Sequence, residues 1–187
     1  MPAPQAASPA DSPSANDPTV EPFDVLDATH QQITEALQQM QSLVGHLRQA
    51  GVDRHARETA KSLFQFFMNT ARQHHLDEEK HVFPQLIGSG DDALVQTTLR
   101  LQQDHGWIEE DWLELAPQIE SISAGYNWYN LEQLEHAVPV FIALYQDHMR
   151  LEESLIYPEA KARISSWDLS GMGREMAARR RPGRRLT

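Results

Sequence analysis

Leu26, His30, Ile33, Leu37, Met40, Val44 and Leu47 follow one another at alternating steps of four and three residues. That spacing returns each side chain to one side of an α-helix and defines a seam that must be buried. It predicts a first helix over roughly 23–50, closed by Gly51, a residue suited to the turn that ends helices. Three more stretches carry such a stripe. Ala60, Leu63, Phe67, Ala71, His74 and Glu78 predict a helix over roughly 53–87. Leu94, Leu101, His105, Ile108 and Trp112 predict one over roughly 91–122, capped by Asp91 or Asp92. Leu134, Val138, Phe141, Tyr145, His148, Glu152 and Leu155 predict one over roughly 130–164. The "GSGDD" and "SAGYNWYN" stretches read as a turn and a loop. Four long amphipathic helices joined by short connections predict an all-α, up-down-up-down four-helix bundle. Pro84, Pro117, Pro139 and Pro158 fall inside or near the ends of these stripes, where kinks or early stops are expected.

The chain has 187 residues, enough for one domain with tails. Residues 1–21 are mostly Ala, Pro, Ser and Asp and read as a disordered leader, 22–165 as the bundle, and 166–187 as an Arg-rich tail. From Arg174 onward the tail holds six arginines and one glutamate, against ten basic and 26 acidic residues elsewhere. It reads either as a frayed, solubilising end or as a segment lying along the acidic body or an acidic partner. The net charge of −11 argues against nucleic-acid binding by the body. No apolar run is long enough to span a bilayer, and the N-terminus shows no signal-peptide pattern, so no membrane association and a cytoplasmic location are expected. There are no cysteines, so any metal must be held by histidine and carboxylate, which suits iron, manganese or zinc.

Such residues interrupt every seam. His30, His74, His105 and His148 each occupy an inward position. Residues four apart on a helix lie about 40° apart and one turn along, so His74 with Glu78, and His148 with Glu152, can face one point. "HHLDEEKHVFP" (74–84) and "HMRLEESLIYP" (148–158) match at His, Glu-Glu, an aromatic residue and proline. The chain therefore looks like two αα-hairpins, each giving a lone His and then a His-x-x-x-Glu. Four His and two Glu exceed one tetrahedral zinc and suit two metals with bridging carboxylates and open positions for a small ligand.

These motifs, with "DATHQQI" and "DHGWIEEDW", make the chain resemble the bacterial hemerythrin-like (HHE cation-binding) proteins over roughly residues 23–160. The resemblance implies a bundle around a non-haem, oxo- or hydroxo-bridged pair of iron ions. His30, His74, His105 and His148 would be terminal ligands, and Glu78 and Glu152 the bridges. It also implies a small ligand such as O2, H2O2 or NO, a redox partner, and a role in oxygen binding or in oxidative or nitrosative stress. The respiratory oxygen carriers have a His-x-x-x-His pair on the third helix, whereas here the second position is Glu109. Glu109 is thus a possible additional ligand, and the change favours redox chemistry or sensing over stable oxygen carriage. An iron or oxygen sensor, or an iron-handling protein without turnover, is the alternative, and a structural bundle holding zinc or no metal is a third reading.

The remaining polar residues read more plainly. His75 lies about 100° from His74, so it is expected outside the ligand set. His81 is two turns beyond His74, too far for the same metal. His46, His55 and His136 read as surface residues. Asp77, Glu79 and Lys80 are expected to face mostly outward or to stand just behind the ligands, and Glu79 and Glu153 to be solvated or to pair with Lys80 or Arg150. Phe67, Phe141, Tyr145, Trp107 and Trp112 are expected in the core.

Overall fold

The structure is a computed structural model that describes residues 21–180. The expected leader up to residue 20, and the tail from 181, lie outside the described residues. The helices are α1 (Pro22–Ala50), α2 (Arg54–Gln65), α3 (Arg72–His81), α4 (Phe83–Ile87), α5 (Asp92–Ala124), α6 (Leu131–Leu151), α7 (Tyr157–Arg163) and α8 (Ser166–Arg180). A π-helical segment, Phe66–Ala71, joins α2 to α3, and another, Glu152–Ile156, joins α6 to α7. There is no strand among the described residues.

Four columns result: α1, α2 continued into α3, α5, and α6 continued into α7. α1 packs against α2 and α6, and α5 packs against the same two, which closes the ring. Asp53, Asp91 and Asn130 cap α2, α5 and α6 by accepting backbone N–H bonds. Gly51 and Gly125, both at positive φ, end α1 and α5. Pro117 and Pro139 do not break their helices: α5 and α6 run through them, so the expected stops there are absent. Each gives up one backbone bond inside a helix held by its buried stripe. Pro84 and Pro158 are the second residues of α4 and α7, just past the turn at Val82 and the end of the second π-helical segment, where the regular bonding pattern is already interrupted.

The apolar core is in two parts. One contains Leu37, Leu63, Leu115 and Phe141, and the other contains Phe23, Leu26, Leu86, Leu101 and Ile156. Between them lies a layer of buried polar side chains: His30, His74, His75, Glu78, His105, His148 and Glu152. Trp107, expected in the core, is 46% exposed. It lies two residues, or about 200°, from His105 and so faces away from the layer.

Residues 166–180, within the Arg-rich tail, form α8 against α1. Met172 and Met176 are buried in the second apolar cluster. Arg179 Nη2 lies 2.5 Å from Asp77 Oδ1 on α3, and Glu175 pairs with Lys80 and His81. Asp77 is therefore fully buried rather than outward-facing, because a fifth long helix covers that side of α3. No helix among the described residues is long and apolar enough to cross a membrane.

Candidate metal centre

The π-helical segments lie at the polar layer itself. One ends three residues before His74, and the other begins at Glu152. A π turn adds a residue and rotates the side chains beyond it, a feature common at functional sites. At the end of the second segment the buried stripe falls on Ile156 and then Tyr157, with the expected Leu155 only half-buried. Beyond the first, both His74 and His75 are buried. Glu78 lies about 40° from His74 on one side and about 60° from His75 on the other, so all three face the core. His75, expected behind the ligands or at the surface, is not at the surface: it sits inside the layer and stacks on His105 at a centroid distance of 4.0 Å.

All six residues expected as ligands converge. Two overlapping groups have ligand-type atoms within 4.8 Å of one another: His30, His74, Glu78 and Glu152, and His75, Glu78, His105 and His148. The carboxylates stand between them. Glu78 Oε1 is 3.4 Å from His74 Nε2, while its Oε2 is 3.5 Å from His105 Nε2. Glu152 Oε2 is 3.3 Å from His30 Nε2, while its Oε1 is 3.1 Å from His148 Nε2. Glu109 does not join. It is 54% exposed and pairs with Arg72 at 3.4 Å. His81 contacts Glu175 and Arg179 of α8 instead. His46 and His136 bond Asp53 and the Glu132 carbonyl, away from the layer.

The residue after each central glutamate holds a histidine of the other hairpin. Glu153 Oε1 is 2.9 Å from His30 Nδ1, and Glu79 Oε1 is 2.8 Å from His105 Nδ1. Both acids keep contact with solvent, as the sequence suggested, with Glu153 55% exposed, but the partner of each is a buried histidine rather than Lys80 or Arg150. They fix which face of each ring points inward. The duplicated aromatics follow the same pattern: Tyr157 stacks on His30 and Phe83 on His105, each at a centroid distance of 5.3 Å. The likeness fails at one atom. The Tyr157 hydroxyl donates to Glu78 Oε1 at 2.5 Å and lies 3.0 Å from His30 Nε2. Tyr157 was missed by reading the stripes alone, but its alignment with Phe83 in the repeat is the signal that finds it.

The donor chemistry fits cations. His74 Nδ1 and Nε2, His75 Nε2, Glu78 Oε2 and His148 Nδ1 are buried without a hydrogen-bond partner, and the two buried Glu152 oxygens meet only imidazole nitrogens, in poor hydrogen-bond geometry. One buried orphan costs about 1–3 kcal/mol, and an uncompensated buried charge costs more. Burial lowers the His148 imidazole, but Glu152, Asp104 and Glu78 outweigh it and push it up to about 10. Burial likewise lowers His30 and His105, and neighbouring glutamates outweigh it in both. Burial, aided by the other histidines, holds His74 and His75 well below the ordinary value. Burial and the nearby Glu152 charge push Glu78 up, whereas His148, His30 and His105 overcome burial to hold Glu152 down. Protons on histidine thus offset the two carboxylates, and cations compete with them for the same nitrogens.

The family model for the hemerythrin HHE cation-binding domain matches residues 21–160. The chain belongs to the hemerythrin family. Its HHE domain spans all four columns and contains every buried histidine and glutamate of the layer. Outside the match lies α8, which this hemerythrin domain carries against α3. An uncharacterized protein of Haemophilus influenzae is 29% identical over 161 residues, covering 86% of this chain and 90% of that protein.

Proposed function

We propose that the chain is a non-haem di-iron protein that binds dioxygen or reacts with peroxide or nitric oxide, in the response to oxidative or nitrosative stress. The observation that carries this reading is the placement of Glu78 and Glu152, each with one oxygen toward each histidine group. His30 and His74 would hold one ion, His75, His105 and His148 the other, and the two carboxylates would bridge. The mixed imidazole and carboxylate set, with no thiolate, suits iron, and leaves manganese or zinc as competitors. When bound, the iron pair would supply electrons and open coordination positions for a small ligand. The chain's own residues orient the rings through Glu79 and Glu153, keep water out with the apolar clusters, and hold a hydroxyl proton at Tyr157. A return to the ferrous state would require a redox partner.

A second reading, an iron or oxygen sensor or iron-handling protein without turnover, is favoured by one observation. Arg179 of α8 is paired with Asp77, between the metal-facing His74 and Glu78. Metal-dependent order in α3 would thereby reach α8.

Iron analysis, an absorption spectrum of the aerobic protein, and stopped-flow mixing of the reduced protein with dioxygen, peroxide and nitric oxide test both. Two irons per chain with oxo-bridged ferric bands are expected. Rapid repeated loss of peroxide selects catalysis, and a stable oxy or nitrosyl adduct selects binding. Fewer than about two irons after loading would sink the di-iron reading.

A further inference from the structure

A cavity of about 170 Å³ opens beside one histidine group and not the other. Phe67, Ile108, Trp112 and Tyr145 form apolar walls, and the buried His75 and His105 form its inner end. Leu76 and Leu113, 50% and 61% exposed, stand at the outer rim. There Arg72 on α3 and Glu109 on α5 pair at 3.4 Å. The position where the oxygen carriers have a second imidazole is thus occupied here by a rim residue. Trp112 donates through Nε1 to Met68 Sδ at 3.3 Å, which pins Met68, another lining residue, within the π-helical segment. On the other side Tyr157 stacks on His30. The larger groove nearby, bounded by Asp24, Thr29 and Arg179, touches none of the layer's histidines and neither of its two central glutamates.

We infer that this cavity is the binding and access site for a small uncharged ligand, delivered to the His75–His105 side of the centre. The inference rests on the di-iron reading for what lies at the inner end. The cavity holds about six water volumes, more than a diatomic molecule or hydrogen peroxide needs. Apolar walls around a space of this size can take up xenon, and Phe67, Ile108, Trp112 and Tyr145 provide such walls. The charge pattern selects against anions: Arg72 and His105 are each paired with an acid of the lining, Glu109 and Glu79, so neither is a free cation for an anion to meet, and the whole chain carries −11.

Xenon provides a test that needs no metal. Crystals of the metal-free protein under xenon pressure are expected to show a xenon atom against Trp112 and Tyr145; none there overturns the cavity as a binding site. For access, Leu76→Trp and Leu113→Trp narrow the rim from half-exposed positions, with Val140→Trp as a distant exposed control. Nitric oxide combination with the iron-loaded ferrous protein is expected to slow tenfold or more in the rim variants, with iron content unchanged. A rate equal to the control overturns the access role. Glu109→Lys is expected to speed azide binding several-fold while leaving the nitric oxide rate unchanged, and equal effects on both overturn the selection by charge. Failure to load iron counts against the di-iron reading alone, because the xenon result stands apart from it.

Discussion

Glu79 and Glu153 show how single residues set the centre. Each accepts from, or holds, the outer nitrogen of a lone histidine, so the inner nitrogen is presented to the core. Their removal leaves every inward donor in place but frees two rings to rotate. Glu153→Ala and Glu79→Ala are therefore expected to weaken metal affinity roughly 10- to 100-fold, read by competition with a chelator. Glu109→Ala, at the exposed rim, is expected to leave it unchanged. Equal losses in all three would show that general charge, not ring orientation, matters. Tyr157 makes the two halves of the duplicated site unequal, since Phe83 has no hydroxyl to offer. In the metal-free protein the Tyr157 hydroxyl serves Glu78, so Tyr157→Phe leaves a buried acceptor unmet and should lower stability by about 1–3 kcal/mol in urea unfolding. With metal bound, the cation takes over that acceptor and the loss should shrink. An equal loss in both states would mean that the metal does not engage Glu78.

At the scale of elements, the bundle helices were legible because burial repeats with the helical period. The four stripes, the Gly51 stop and the Asp91 cap all lie where spacing and cap chemistry put them. His75 was not legible, because an ideal helix turns it about 100° from His74 and nothing in composition announces a π turn at 66–71. The partners of Glu79 and Glu153 were hidden for another reason: each lies on the opposite hairpin, beyond any local spacing rule. α8 was masked by its arginines, although Leu169, Met172 and Met176 keep steps of three and four. Its docking carries a pH signature. Lys80 first, then His81 and Arg179, hold the Glu175 carboxyl below its ordinary value of 4.5. A depressed folded pKa means the contribution is present above that ordinary value and is lost as pH falls through the lowered one. The protection of α8 amides, taken relative to their intrinsic exchange rate at each pH, is thus expected to fall in acid and in high salt, because Glu175 is exposed and screened. Glu175→Gln should remove that acid dependence, and an unchanged profile in the variant would assign it to another group.

The whole molecule is two hairpins whose polar layer separates two apolar clusters. A fold stabilised by apolar burial alone has no use for five histidines and two glutamates at one level, so the layer is a weakness unless cations occupy it. Ions that bind only the folded state stabilise it by mass action, about 2.7 kcal/mol at a free concentration a hundred times the dissociation constant. Stripping the metal should lower the melting temperature, and the loosening should have a location. Amides around His30, His74 to Glu78, His105 and His148 to Glu152 are expected to exchange faster in the stripped protein. Amides in the cluster of Leu37, Leu63 and Leu115, which no ligand residue interrupts, should keep most of their protection. Reloading with iron should restore the slow exchange, and zinc should restore it only to the extent that it occupies both histidine groups. Uniform loosening along the bundle would mean that the layer is coupled to global unfolding. No change at all would mean that the orphaned nitrogens and oxygens are satisfied by water, and that the layer holds no metal that matters to the fold.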